Sequence, residues 1–300
     1  MLIKHLETFV RIVETGSFAA AADVLYTTQS TVSARIRELE KSLGVALFDR
    51  SGHRARLTPK GQALLKPAQR MVALAADISL RIGDAQAMTG VVRMGVVGLV
   101  AITWLPKLVA ALRERYPGMA LSVEVALTAT LMDRLRAGEL DLALVNGPVS
   151  EAGLDALPLG GDEFVWMAAP SLRVPARPLT PAELSDWPVL GLSEASHHYP
   201  VIEQWFRAGQ AQYRPVVSCN NVRVLGDLTL AGLGVSLLPL GSYRKEVAIG
   251  LLQVLNTRPR LPPVEFVALR RRHVQDPLVE AVATMATGAS EFAPVGAASR

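Results

Sequence analysis

Gln29, Ser30, Ser33, Arg35 and Arg37 gather near the start of one short segment, and their types suit contact with base edges and phosphates. A glutamine can meet adenine through two hydrogen bonds. Further on, Arg50, Arg54 and Arg56 surround a Ser51-Gly52-His53-Arg54 turn, and guanidinium groups grip phosphate in bidentate fashion. A second set falls where strands are expected to end and helices to begin: Gly98, Leu99, Val100, Thr128, Thr130, Asn146, Ser193, Ser196, His197 and Asn221. Hydroxyls and backbone N–H groups at such places suit a carboxylate or similar anion. No nucleophile, base and orienter stand together, so no catalytic residue is assigned. His197-His198 has no acidic cluster attached, and no metal or other cofactor is expected. One of the two histidines belongs to a pocket, or both lie in a solvated loop; the residues leave both readings open. Cys219 is alone, which excludes an intrachain disulfide and a cysteine-based zinc site, and it reads as a small buried residue on a strand. Gly232-x-Gly234 lacks a following lysine and reads as a tight turn. The Arg270-Arg271-Arg272-His273 run reads as a solvated strand end.

The first set needs elements to hold it. Leu2, Leu6, Phe9, Val10 and Val13 recur at helical spacing, and Gly16 ends that helix. Ser17 is an expected N-cap for a helix from Phe18 to about Leu25, where alanines 19–22 permit close packing. Thr27 and Thr28 turn the chain into a third helix from Gln29 to about Leu43, with Val32, Ile36, Leu39 and Leu43 as its apolar face. The arrangement predicts a helix-turn-helix, in which the second helix enters the major groove; a plain three-helix bundle with solvated charges fits the same periodicity. Two short strands, Leu47–Arg50 and Ala55–Thr58, then form a wing.

Thr58-Pro59 is a capping hydroxyl followed by proline, a good helix start. The helix should run to about Met88, with a kink or restarted register near Pro67. Leu64, Met71, Ile78 and Ala85 repeat every seven residues, with Ala68, Ala75 and Ile82 interleaved. That heptad seam predicts self-association through Leu64, Met71, Ile78 and Ile82; a stripe packed on the C-terminal domain is the alternative.

From Gly90 onward, strands alternate with helices. The expected strands are Val91–Val97, Leu121–Ala126, Leu140–Val145, Phe164–Ala168, Val189–Leu192, Val216–Cys219, Val235–Leu238 and Glu265–Leu269. Helices are expected at Trp104–Tyr116, Leu131–Ala137, Val201–Ala208, Val222–Ala231 and Pro277–Ala286. Alternation implies parallel sheets, and the return of the last elements implies two lobes joined by two crossings.

The 300 residues are half hydrophobic and carry a net charge of +4, enough to build a sizeable core. Residues 1–60 hold nine Lys/Arg against six Asp/Glu, so most of the excess positive charge falls there and hints at a polyanion. No apolar run reaches the roughly 18 residues that span a bilayer, and the first residues lack a signal-peptide core. A soluble, cytoplasmic protein without membrane contact is expected.

The stretch LETFVRIVETGSFAAAADVLYTTQSTVSARIRELEKSLGVALFDRSGHRARLTPKG resembles the DNA-binding domain of LysR-type transcriptional regulators. It carries GSF, the AA pair, TQS, VS, I-x-x-LE, LG, LF-x-R and LTP-x-G in order and without gaps. Leu105 to Pro117, Gly138 to Leu144 and Ala231 to Pro239 resemble the effector domain of the same family, which is akin to periplasmic binding proteins. The likeness covers the chain up to about Thr287.

It implies an all-α winged helix-turn-helix over 1–60, a linker and dimerisation helix over 61–89, and a bilobed α/β effector domain over 90–300. Lobe I would take about 90–162 and 268–290, and lobe II about 163–267. It implies base or phosphate contacts for Gln29, Ser30 and Ser33, and with them Ser17, Thr28, Arg35, Arg37, Arg50, Arg54 and Arg56 complete the set of DNA contacts expected from the residues themselves. It further implies promoter or operator DNA as partner, a dimer or tetramer, RNA polymerase as a candidate partner, and a small-molecule effector between the lobes. An aromatic or other organic acid is the expected class. Two departures stand out. Ala34 stands where many members carry arginine, and Gly98-Leu99-Val100-Ala101 stands where they often carry a hydroxyl. That predicts an apolar crevice wall at Leu99 and Val100. A transporter's solute receptor would fit the second part alone, and an enzyme would need a constellation that is missing.

Overall fold

The computed structural model describes residues 3–25, 27–49, 55–82, 88–272, 274 and 276–294. The chain forms two compact units, one of residues 1–91, 114–120 and 272–282, the other of residues 92–113, 121–271 and 283–300.

In the first unit, α1 (Ile3–Thr15), α2 (Phe18–Val24) and α3 (Gln29–Leu43) enclose a core of Leu6, Phe9, Ile12, Ala21, Val32, Ile36 and Leu39. Ala21 is fully buried, so the alanine run does let helices approach closely. His5 and Glu38 join α1 to α3, Nε2 to carboxylate, at 3.0 Å. Leu43 departs from the expected apolar face: it is 39% exposed, because the helix ends beside it at Gly44 in the left-handed conformation.

Among the described residues the wing is shorter than expected, with β1 (Phe48–Asp49) and β2 (Arg56–Leu57) pairing antiparallel and Phe48 opposite Leu57. Phe48 anchors it, its ring 5.4 Å from Phe9 and 5.3 Å from Phe18. Glu40 of α3 accepts the Leu47 N–H at 2.8 Å and fixes where the wing begins.

Helix α4 (Pro59–Ile82) starts as expected, with the Thr58 hydroxyl accepting the Gly61 N–H at 3.0 Å, and it continues through Pro67 as one helix. Its first turns serve the helix-turn-helix. Ala68 is fully buried in that core, and Leu64 packs against it. The seam is therefore corrected at its start, because α1 already occupies the face carrying Leu64 and Ala68. Met71 and Leu74 remain exposed, at 41% and 61%. The Ile78 and Ile82 side chains lie outside the described residues.

The second unit is built on two five-stranded sheets. The first has the order β4 (Met119–Val125), β3 (Gly90–Val96), β5 (Leu142–Gly147), β12 (Val264–Arg271), β6 (Leu154–Asp162). The second has the order β11 (Gln253–Val254), β7 (Phe164–Ala168), β10 (Val235–Pro239), β8 (Val189–Leu192), β9 (Val217–Cys219). Both are mixed rather than parallel. β3 and β5 run parallel and so do β8, β9 and β10, while β12 and β7 run against their neighbours. The antiparallel strands are those by which the chain passes between lobes. β6 feeds β7 through Glu163 alone, and β12 returns to the first sheet from Val264.

Around the sheets lie α5 (Gly98–Ile102), α6 (Leu105–Arg115), α7 (Thr128–Ala137), α8 (Pro181–Leu184), α9 (Tyr199–Ala208), α10 (Val222–Leu230), α11 (Arg244–Ala248) and α12 (Pro277–Ala289). Arg270 and Arg271 correct the solvated reading of their run. They are 20% and 13% exposed and face Asp155 and Asp141, each at 3.9 Å. Asp141 also accepts the Arg93 N–H at 2.9 Å. Gly138, in the left-handed region at φ 77°, ends α7, and a Cβ there would lie 2.6 Å from the Arg271 guanidinium. Gly232, at φ 75°, makes the tight turn expected before β10. Cys219 lies on β9 as expected but is only half-buried.

Candidate DNA-reading and effector-binding sites

At the start of α3 the Thr28 hydroxyl accepts the Thr31 N–H at 3.2 Å and caps the helix. It also lies 2.8 Å from the Ser30 hydroxyl and 2.9 Å from that of Thr31. Ser17 caps α2 in the same way, accepting the Ala20 N–H at 3.0 Å. Both hydroxyls satisfy orphan helix N–H groups. Gln29, Ser30 and Arg37 are exposed. Arg37 donates to the Ser33 carbonyl at 3.3 Å and so lies along the row 29, 33, 37, one turn apart.

Arg35 does not share that row. It is half-buried and donates to the Thr8 hydroxyl of α1 at 3.4 Å, so its grouping with the outward-facing residues is corrected. Helical geometry turns position 35 toward the buried Val32, Ile36 and Leu39 side. Ala34 takes the exposed place, one turn after Ser30. Arg56 is exposed on β2; Arg50 and Arg54 lie outside the described residues.

The second cluster centres on the start of α7. No side chain caps that helix. Thr128 is buried, with its hydroxyl 3.1 Å from Asn146 Oδ1 and accepting the Asn146 N–H at 3.3 Å. A cleft of about 230 Å³ opens beside it, lined by Thr128, Ala129, Met132, Asp133, Arg136, Ala195 and His197. Helix α7 of the first lobe forms one wall. The loop between β8 and α9 of the second lobe forms the other. Met132, Asp133 and Arg136 escaped the sequence reading, although steps of three and four, from Thr128 and Ala129 to Met132 and Asp133 and from these to Arg136, put them on one helix face.

Arg136 is held by Glu151 at 2.8 and 2.7 Å and by Asp133 at 2.5 Å. These bonds raise its pKa and lower that of Glu151, so both stay charged. Arg134 is fixed likewise by Glu124 and Glu139. His197 is exposed into the cleft, while His198 turns inward against Phe164, rings 5.5 Å apart. Burial first, and His197 second, push the His198 ring down to about 4.

Other expected residues lie apart from the cleft wall. Thr130 is exposed on α7. Ser193 and Ser196 shape the β8–α9 loop, where the Ser196 N–H donates to the Ser193 carbonyl at 2.8 Å and its hydroxyl accepts the His198 N–H at 3.3 Å. Asn221 is spent as the cap of α10, accepting N–H groups from Arg223 and Val224. Gly98 is exposed, but Leu99 and Val100 are 5% and 0% exposed. The expected apolar wall at Leu99 and Val100 is corrected. The segment forms the one-turn helix α5, which rotates both side chains into the core. Among the described residues no three His, Cys, Asp or Glu side chains are placed to hold a metal, and no helix is long and apolar enough to cross a membrane.

Residues 3–62 match the model of the bacterial regulatory helix-turn-helix protein, lysR family, and residues 85–290 match the LysR substrate binding domain. The chain belongs to the LysR family. A relative named a probable hydrogen peroxide-inducible genes activator, from Mycobacterium avium, is 32% identical over 263 residues, covering 86% of this chain and 85% of its own. Vibrio fischeri DarR, solved in complex with DNA, is 25% identical with a TM-score of 0.56, over 96% of this chain and 99% of that one. Full-length LysG from Corynebacterium glutamicum, solved with the effector arginine bound, shares the fold at 23% identity and a TM-score of 0.58, over 98% of this chain and all of that one. This LysR-type protein is a DNA-binding transcriptional regulator with an effector-binding domain. The family consists of transcriptional regulators, not enzymes.

Proposed function

We propose that Gln29, Ser30 and Ser33 read bases while Arg56, with Arg50 and Arg54, holds phosphates, and that a small organic acid modulates this binding from between the lobes. The observation that carries the effector reading is the cleft itself: the uncapped N-terminus of α7 lies on one wall and His197 on the other. Unpaired N–H groups and the helix dipole favour an anion there. An apolar body, aromatic or otherwise, would rest on Met132, Ala129 and Ala195. Binding favours one lobe setting only to the extent that the ligand prefers it, and a coupling of about 1–3 kcal/mol is enough to alter promoter occupancy. Peroxide sensing through an intrachain disulfide needs two thiols, and these residues hold Cys219 alone. Self-association along α4, as a dimer or a tetramer, would place two reading heads on a pseudo-palindrome.

Two measurements test this. In DNA retention, Gln29→Ala should cost about 1–3 kcal/mol on the operator and nothing on random DNA. Arg56→Ala should weaken both alike and reduce the salt slope by about one. Equal loss on both DNAs for Gln29→Ala removes the base-reading role. In calorimetry against a panel of organic acids, Ala129→Asp should lower affinity at least tenfold, by setting a carboxylate where the anion would sit. Unchanged binding of every acid, or tighter binding of a cationic amino acid such as arginine, overturns the organic-acid assignment.

A further inference from the structure

The pairing of β12 with β6 is interrupted where the chain passes between lobes. Phe266 lies opposite Gly160, and Val267 lies opposite Pro158, so Leu159 is left out of the ladder. A bulge of this kind orphans a backbone group and weakens the local pairing. Here the orphan is taken up by the end of the chain. The Ser290 hydroxyl donates to the Leu159 carbonyl at 2.6 Å. Two further bonds join Ala293 to Gly161, at 2.7 and 3.0 Å, along the open edge of β6.

Gly160 makes room for this. It has φ 102°, and a Cβ there would lie 2.6 Å from the Ala293 carbonyl oxygen. Phe292 stacks on Phe266 with centroids 4.1 Å apart and meets the edge of Trp104 at 5.9 Å. Lys107 reaches Glu291 at 3.3 Å.

The segment thus grips both crossings at once, one through backbone bonds to β6 and the other through an aromatic stack on β12. Its grip lies next to the last paired residues before the second lobe, Asp162 and Val264. From there the Leu240 N–H of the second lobe donates to the Glu163 carbonyl at 2.8 Å. Asp162 accepts the Gly241 N–H, and its carboxyl is raised by burial against that bond. Phe266 also pairs across to Asn146, the partner of Thr128 at the cleft.

We propose that Ser290–Pro294 is a strap that holds the hinge between the lobes in one setting, so that releasing it frees the lobes to move. Hydrogen exchange on the full chain, without any ligand, tests this independently of the effector reading. In Phe292→Ala the Gly161 amide should lose protection, and the Leu240 and Gly241 amides should exchange at least tenfold faster. Amides of β5 should keep their protection. Ser290→Ala, which keeps the Phe292 ring and frees the Leu159 carbonyl and the Phe292 N–H, should give a smaller change of the same pattern. A peptide of residues 289–300 added to a chain ending at Gly288 should restore slow exchange. If only Gly161 responds while Leu240 and Gly241 stay as in the parent, the segment is a local edge cover and the strap is refuted. If Phe292→Ala also unprotects β5, the milder Ser290→Ala decides by the same two amides.

Discussion

His198 carries a titration set by its burial. Its ring is buried on Phe164 and pushed down to about 4, below the ordinary value near 6.5. The unfolded chain therefore binds a proton that the folded chain refuses between those values. Stability from this ring is complete above about pH 6.5 and is lost as the pH falls toward 4. Replacing it with a residue that cannot titrate, His198→Leu, should flatten the loss between pH 7 and 4.5 by on the order of 2 kcal/mol. Urea midpoints across that range would show it, and parallel pH curves for parent and variant would refute it. The same pair shows how far single residues were legible. A doublet of histidines signals polarity, but which one turns inward depends on the helix start at Tyr199, which sequence spacing does not resolve. Gln29 and Ser30 were legible because a helix start on a predicted turn exposes its first side chains. Arg35 was not, since its fate depends on Thr8, far away in the chain.

At the scale of elements, long periodic segments and apolar runs declared themselves. Phe164–Ala168 and Val189–Leu192 were placed to the residue. β6 was missed, because LDALPLGGD mixes a proline and two glycines into a strand that bulges and then bends around the chain's end. α8 was missed although Thr180 and Glu183 form a capping box, a signal visible in the sequence. α5 is absent from the helices expected on the sequence, since one turn of helix is too short to show a period. The heptad of α4 was legible as a pattern but divided in use. Its first part belongs to the helix-turn-helix core, while Met71 stays exposed, as does Leu74, which stands outside that heptad. Met71→Glu with Leu74→Glu should therefore shift sedimentation toward the monomer and leave thermal stability of the DNA-binding unit within about 0.5 kcal/mol, as for exposed positions. An unchanged oligomer would assign self-association to another surface.

At the scale of the molecule, the two lobes differ in how the chain is threaded. Every strand of the second sheet lies within one continuous stretch, from Phe164 to Val254. The first sheet is assembled from both ends of the effector region, and its inner strand β12 arrives last, from Val264 to Arg271, between β5 and β6. Until β12 is inserted, β5 and β6 have no neighbour in common. During synthesis the ribosome thus releases everything the second lobe needs before the first lobe can close, and the earlier-made half must wait for the later-made one. Long-range pairings of this kind form slowly and leave strand edges open meanwhile. Chains stalled with residue 260 just outside the ribosome should already show protease resistance over 164–254, while 90–162 is still cut. Resistance of the earlier segment should appear only once residues to about 271 have emerged. The interval between those lengths is when this regulator's nascent chain most needs shelter from its neighbours on the same message.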